Sequence, residues 1–125
     1  MKYNALMKEW QKRLNMQDWR ITLKVDCVPE DMTIDESSGC VSWAESTKTA
    51  LIQIIGPKYY GQRVVPFDFE KTLVHELLHL KFSLLCDEQE AEGLRERICH
   101  QILDEIARAL VEAKRYQPKQ KENAE

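Results

Sequence analysis

Two histidines and a glutamate stand at a spacing that suits metal chemistry. Residues 75 to 79 read His75-Glu76-Leu77-Leu78-His79, the HExxH pattern, inside a largely apolar run. Side chains four residues apart lie one above the other on a helix, so His75 and His79 can reach the same metal ion. Glu76 would then lie beside the water that this ion binds and could act as a general base. The pattern therefore predicts a zinc site with hydrolytic chemistry.

A catalytic zinc ion needs three protein ligands and one open position, so a third ligand must come from elsewhere in the chain. His100 is the one remaining histidine of the sequence and is the leading candidate. The predicted metal ligands are therefore His75, His79 and His100. Asp104, four residues later, is predicted to accept the second ring N–H of His100. Glu92 and Glu96 stay open as alternatives because carboxylates also bind zinc.

Two other interpretations use the same residues. Cys86 and Cys99 could join the two histidines of the motif in a closed structural zinc site, but Glu76 would then have no purpose. Alternatively, the two histidines could be core residues paired with backbone groups or acids. Burying both imidazoles and an ionisable glutamate in so apolar a helix is costly without compensation, and a bound cation compensates directly. Metal binding is therefore favoured.

The remaining elements follow from hydrophobic periodicity. Apolar residues at four-residue steps predict a helix over residues 2–15, and strict alternation from Trp19 to Cys27 predicts a half-buried strand. Short apolar runs at 40–44 and 50–55, joined by polar residues, predict a hairpin. Asp68 is predicted to cap a helix over residues 68–85 that carries the motif.

A third helix is predicted from residue 94 to about Ala113. Its predicted apolar stripe consists of Leu94, Ile98, Ile102, Ile106 and Leu110. The fold class is therefore α+β: an N-terminal helix, a small three-stranded sheet, the HExxH helix and a long C-terminal helix. Residues 1–115 are expected to form a single domain, and residues 116–125 are expected to be a disordered tail.

Composition excludes several classes of protein. The 125 residues are 43% hydrophobic and 31% charged, with a net charge of −3 and no basic stripe, which argues against nucleic-acid binding. Since there is no apolar run of about 20 residues, no membrane span is expected. The absence of a signal-peptide pattern predicts a cytoplasmic location. The four cysteines form no CxxC pair, so reduced thiols are expected.

The HExxH motif, preceded by strands and followed by a second ligand-bearing helix, resembles the zincin metallopeptidases, particularly the minimal single-domain members of bacteria and phages. In their gluzincin branch, the later ligand is a glutamate with an aspartate four residues on. The matching positions here are His100 and Asp104, so histidine replaces the glutamate. The longer metzincin form of the motif would require histidine at position 85, where this sequence has Leu85, so the metzincin branch is disfavoured.

The resemblance implies a zinc metallopeptidase that acts on a peptide or protein substrate. Glu76 would take a proton from the attacking water and pass it to the departing amine. The strand over residues 50–55 is expected to be a sheet edge along which substrate adds, and Tyr59 or Tyr60 is a candidate to steady the oxyanion. The alternative function is a catalytically silent, metal-stabilised interaction module. Oligomeric state is left open.

Overall fold

The chain folds as three helices and a three-stranded sheet, seen in a computed structural model that describes residues 2–32, 38–61, 66–83 and 93–116. The elements are α1 (Lys2–Arg13), β1 (Arg20–Cys27), β2 (Gly39–Ala44), β3 (Thr49–Ile55), α2 (Phe69–Lys81) and α3 (Leu94–Arg115). Short 3-10 turns at Pro29–Asp31 and Pro57–Tyr59 follow β1 and β3. The predicted α+β class, with its long C-terminal helix, is confirmed.

The strand order in the sheet is β1-β3-β2. β1 runs parallel to β3, with Ile21 opposite Ala50, and β2 runs antiparallel to β3, with Trp43 opposite Ala50. The predicted hairpin is therefore confirmed. The prediction that residues 50–55 form a sheet edge is wrong, because both neighbours use the backbone hydrogen-bonding groups of β3. Within the described residues the outer strands are β1 and β2.

The helix ends differ slightly from the prediction. Helix α1 ends at Arg13 rather than residue 15, since Asn15 adopts a left-handed φ of 63° and the amide of Met16 turns back to the carbonyl of Gln11. The predicted cap of α2 is confirmed, because the Asp68 carboxylate accepts a hydrogen bond from the amide of Lys71 at 3.1 Å. This helix ends at Lys81, and residues 84–92 and 117–125 lie outside the described residues.

Helix α2 is the centre of the packing. It contacts strands β2 and β3, and it also contacts helices α1 and α3. Its five apolar residues from Leu73 to Leu80 are at most 2% exposed, and Ile52 and Ile54 of β3 are completely buried. The largest buried side chains of this core are Trp10, Met16, Ile52, Ile54, Leu73, Val74, Leu77, Leu80 and Val111. The HExxH motif therefore lies on a helix that packs against strands and helices on several sides.

Helix α3 turns a different face to the core from the one predicted. Its buried residues are Leu103, Ala107 and Val111. Of the predicted stripe, Leu94, Ile98 and Ile102 are 64%, 42% and 47% exposed, while Ile106 and Leu110 are only partly buried against the core. The four-residue spacing predicted the helix correctly, but two apolar stripes of this helix have that spacing. The stripe that contains the small residue Ala107 faces α2.

Ion pairs fasten the far end of α3 to the beginning of α2. Arg115 donates to both oxygens of Asp68, at 2.8 and 3.0 Å. It also donates to Glu70, which is 9% exposed and accepts further hydrogen bonds from Lys114 and from the indole N–H of Trp10. Burial by itself raises the pKa of Glu70, but these hydrogen bonds outweigh it and lower that pKa. Side chains from all three helices thus meet at the carboxylate of Glu70.

None of the helices in the described ranges combines the length and apolar character needed to cross a bilayer.

Candidate metal centre

Three imidazoles from two helices meet at the surface between α2 and α3. His75 and His79 stand one helical turn apart on α2, and their Nε2 atoms are 3.2 Å from each other. The ring of His100, on α3, has its centroid 4.7 Å from that of His79 and 6.0 Å from that of His75. One ligand nitrogen from each ring can be chosen so that all three lie within 4.8 Å of one another. The structure therefore brings together all three predicted ligands.

His100 reaches this position because of the face that α3 presents to α2. Ala107 and Val111 follow it by seven and eleven residues, so all three share one side of the helix. Both of those residues are fully buried, and Ala107 allows the two helices to approach closely. The predicted stripe would have left His100 at its border, whereas the observed stripe directs His100 towards the motif helix.

Carboxylates stand behind two of the rings. Oδ1 of Asp104 lies 3.4 Å from Nδ1 of His75, so the carboxylate crosses from α3 to α2. The expected pairing of Asp104 with His100 is wrong: among the described residues, the carboxylate nearest to His100 is Glu96, at 3.6 Å from Nε2. The prediction assumed a partner one turn away on the same helix, but the packing of α3 on α2 brings Asp104 to the neighbouring helix.

The second oxygen of Asp104 forms an ion pair with the guanidinium of Arg108, 3.1 Å from its Nε atom. Arg108 was missed by the sequence reasoning, although its place four residues after Asp104 is the usual spacing of helical ion pairs. It holds the carboxylate beside the ring of His75. A carboxylate on Nδ1 favours the tautomer that carries its proton there, and this leaves the Nε2 lone pair of His75 free to face His79.

His75 has the protonation state that a metal requires. Burial, together with the neighbouring His79 and His100, lowers the pKa of His75 to about 4, even though Asp104 opposes the shift. His75 is therefore neutral at pH 7, and neutral imidazole is the form that coordinates metals. Around a tetrahedral zinc ion, nitrogens at bond lengths of about 2.05 Å stand roughly 3.3 Å apart, close to the 3.2 Å between His75 and His79. The three-histidine donor set and the spacing of this pair fit zinc, and the third ligand nitrogen lies within 4.8 Å of the other two.

Glu76 lies on the side of α2 that faces the sheet. It is 6% exposed. Its carboxylate packs against the beginning of β2, where a β-carbon on Gly39 would lie 3.1 Å from its Oε2 atom and only 2.8 Å from Cγ2 of Thr72. The close approach of α2 to β2 thus needs glycine at this position. The apolar run at 40–44 begins just after Gly39 in the sequence, and this pattern gave no sign of the contact.

The alternative ligands considered from the sequence lie in different places. Glu96 lies next to His100 on α3, while Cys99 is a half-buried free thiol. Glu92 and Cys86 lie outside the described residues. Within the part of the chain that the structure describes, the grouping with metal-binding geometry is the histidine triad.

The predicted oxyanion residues stand in the turn after β3. Tyr60 packs edge-on against Phe67, with ring centroids 5.2 Å apart, and Tyr59 lies under the ammonium group of Lys58. Packing therefore accounts for Tyr60, whereas Tyr59 is 38% exposed. Their role as oxyanion donors stays a prediction.

A shallow cleft of about 540 Å³ opens along α3 beside the triad. His75 and His100 line it at one side, and polar residues of α3 form the rest of its wall, among them Arg97, Gln101 and Asp104. The cleft gives the rings of His75 and His100 access to solvent.

Comparisons with protein-family models, curated proteins and solved structures found no match to this chain.

Proposed function

We propose that the chain is a zinc-dependent peptidase that hydrolyses peptide bonds with Glu76 as general base. The observation that carries the proposal is the convergence of three imidazoles from two helices, one residue away from a buried glutamate. His75, His79 and His100 would hold the ion. Zinc bound there supplies a Lewis acid that polarises a carbonyl group and lowers the pKa of coordinated water.

Side chains around the triad would supply proton transfer and hold the ligands in position. Glu76 takes the proton of the attacking water and returns it to the departing amine. Asp104 holds the ring of His75 in one tautomer, and Arg108 holds Asp104 in turn. Gly39 lets Glu76 lie against the beginning of β2.

Strand β2 is the better candidate for binding an extended substrate now that β3 is known to be central. Within the described residues β2 pairs with β3 alone, so one side of its backbone is open to a further strand. A peptide added to this edge gains main-chain hydrogen bonds and runs past Gly39, which contacts Glu76. The contact between β2 and α2 therefore supports the assignment.

The test of the general base is Glu76→Gln. We expect this variant to keep one zinc ion per chain and to lose peptide hydrolysis by a factor of about 10² to 10⁴, since the amide cannot accept a proton. Glu30→Gln is the matched control, because Glu30 is exposed on the 3-10 turn after β1. Unchanged turnover in Glu76→Gln would refute the role of this residue.

The test of the ligands is the zinc content of single variants. His75→Ala, His79→Ala and His100→Ala should each lower it, whereas Glu96→Gln should leave it near one ion per chain. Retention of zinc in His100→Ala, with loss in Glu96→Gln or Glu92→Gln, would make a carboxylate the third ligand.

A metal-stabilised interaction module is the second candidate function. The observation that favours it is the outward row of Leu94, Ile98 and Ile102 on α3, which leaves three large apolar side chains exposed. Full zinc content combined with no hydrolysis of a broad peptide library would favour this function over the peptidase.

A further inference from the structure

We propose that Arg97 binds a substrate carboxylate next to the scissile bond and so makes the cleft selective for acidic peptides. This inference rests on the proposed peptidase function and adds a substrate class to it. The carboxylate could come from a glutamate or aspartate side chain or from the free C-terminus of a peptide. Both sources present the same planar anion.

The position of Arg97 carries the first step. It lines the same cleft as His75 and His100, and it precedes His100 by three residues on α3. Residues three apart share one side of a helix and are separated by roughly 4.5 Å along its axis. A guanidinium on this side chain therefore reaches the part of a substrate that neighbours the group held at the triad.

The pairing of the other charged residues carries the second step. Asp104 is engaged by Arg108 and His75, and Glu96 lies 3.6 Å from His100. Arg97 is exposed, and no ion pair within the described residues engages its guanidinium. Glu105, the third acidic residue of the cleft, lies eight residues further along α3, at a rise of roughly 12 Å. Arg97 is thus available for an anion that enters the cleft.

The chemistry of the side chain carries the third step. A guanidinium donates two parallel hydrogen bonds that match the two oxygens of a carboxylate, and this geometry discriminates against an amide. Gln101 lies one turn after Arg97 and lines the same cleft, so its amide can donate a further hydrogen bond. A cation at the histidine triad would add to the attraction for an anion.

The experiment compares zinc-loaded wild-type protein with Arg97→Gln, and with Arg95→Gln as the matched control. Arg95 is an exposed arginine of the same helix that does not line the cleft. A fluorescent alanine peptide carries Glu or the neutral isostere Gln at each position in turn, and every peptide is made with a free and an amidated C-terminus. kcat/KM is measured for hydrolysis, and fluorescence anisotropy measures binding of the same peptides to Glu76→Gln protein with and without the arginine substitutions.

We expect wild-type protein and Arg95→Gln to prefer a carboxylate over its neutral isostere by about tenfold, and Arg97→Gln to bring this ratio close to one. A preference that follows the Glu position identifies the side chain as the source, and one that follows the free C-terminus identifies the terminal carboxylate. Equal use of acidic and neutral peptides, or a preference that survives in Arg97→Gln, overturns the inference.

The two proposals fail in different ways. Hydrolysis without acidic preference removes the role of Arg97 and leaves the peptidase proposal in place. If no peptide is hydrolysed, the peptidase proposal fails, and the binding measurements decide the inference alone: a carboxylate preference that is lost in Arg97→Gln supports the anion site, and equal or absent binding of the two isosteres rejects it.

Discussion

Gly39→Ala tests the contact that places Glu76. The added methyl group would lie 2.8 Å from Cγ2 of Thr72 and 3.1 Å from Oε2 of Glu76, both closer than a relaxed contact. Overpacking of this kind costs typically 1–3 kcal/mol, and the branched Thr72 side chain has little rotational freedom on a helix. We expect a loss of about 2 kcal/mol in the free energy of unfolding, or roughly 6–10 °C in Tm for a chain of this size.

A second substitution separates the two contacts. Thr72→Ser removes the Cγ2 atom and leaves Glu76 in place, so the double variant should recover at least half of the lost stability. Peptide hydrolysis should not recover with it, because the carboxylate stays displaced and a misplacement of about 1 Å in a catalytic group can cost roughly a hundredfold in rate. The expected pattern is therefore stability restored and activity still low.

Urea unfolding followed by circular dichroism measures the stability of the four proteins in this double-variant cycle. Ser42→Ala, an exposed position on the same strand, serves as the control and should change the free energy of unfolding by less than about 0.5 kcal/mol. A Gly39→Ala protein as stable as the control would refute the close packing of α2 on β2. Equal recovery of stability and hydrolysis in the double variant would refute the separate effect on Glu76.

Three further predictions concern α3. Asp104→Asn should weaken zinc binding by about 10- to 100-fold in a competition with a chelating dye, and an unchanged affinity would separate Asp104 from the metal site. Leu103→Ala should cost about 3 kcal/mol in unfolding free energy, whereas Ile102→Ala should cost less than about 0.5; the reverse order would favour the originally predicted stripe. Arg115→Ala should destabilise the protein at neutral pH, because the Arg115 guanidinium lowers the pKa of Asp68 below its ordinary value. That contribution is present above the unfolded-state pKa of Asp68 and is lost as pH falls through its folded-state pKa. The difference in unfolding free energy between wild type and Arg115→Ala, measured by urea unfolding at a series of pH values, should therefore shrink below about pH 4. A difference that stays constant with pH would contradict this prediction.

The strands show what periodicity reveals about a sheet. β1 alternates between exposed and half-buried residues, and this alternation predicted both its existence and its bounds. Four consecutive residues of β3, from Ile52 to Ile55, are buried, as expected of a strand with neighbours on both sides. The run Leu51-Ile52-Gln53-Ile54-Ile55 lacks alternation, and this was the available signal that β3 is central rather than an edge. The parallel pairing of β1 with β3 had no local signature.

The candidate site shows a similar division. The spacing of His75 and His79 follows from helix geometry alone, so the sequence was sufficient to predict that they meet. The position of His100 depends on which face of α3 packs on α2, and two apolar stripes at the same spacing left that choice open. Asp104 was assigned to the wrong ring for the same reason: a partner on another helix depends on tertiary packing, which the spacing within one helix does not specify.

The uneven burial of α3 has a consequence for its motion. No buried residue of this helix precedes Leu103, while its last turn is tied down by the carboxylates of Asp68 and Glu70. Amide protons near its C-terminal end should therefore exchange with deuterium slowly, and those of its first turns rapidly, because opening there exposes little apolar surface. His100 stands in the rapidly exchanging half, so an ion that joins it to α2 would slow deuterium uptake mainly in the residues just before Leu103.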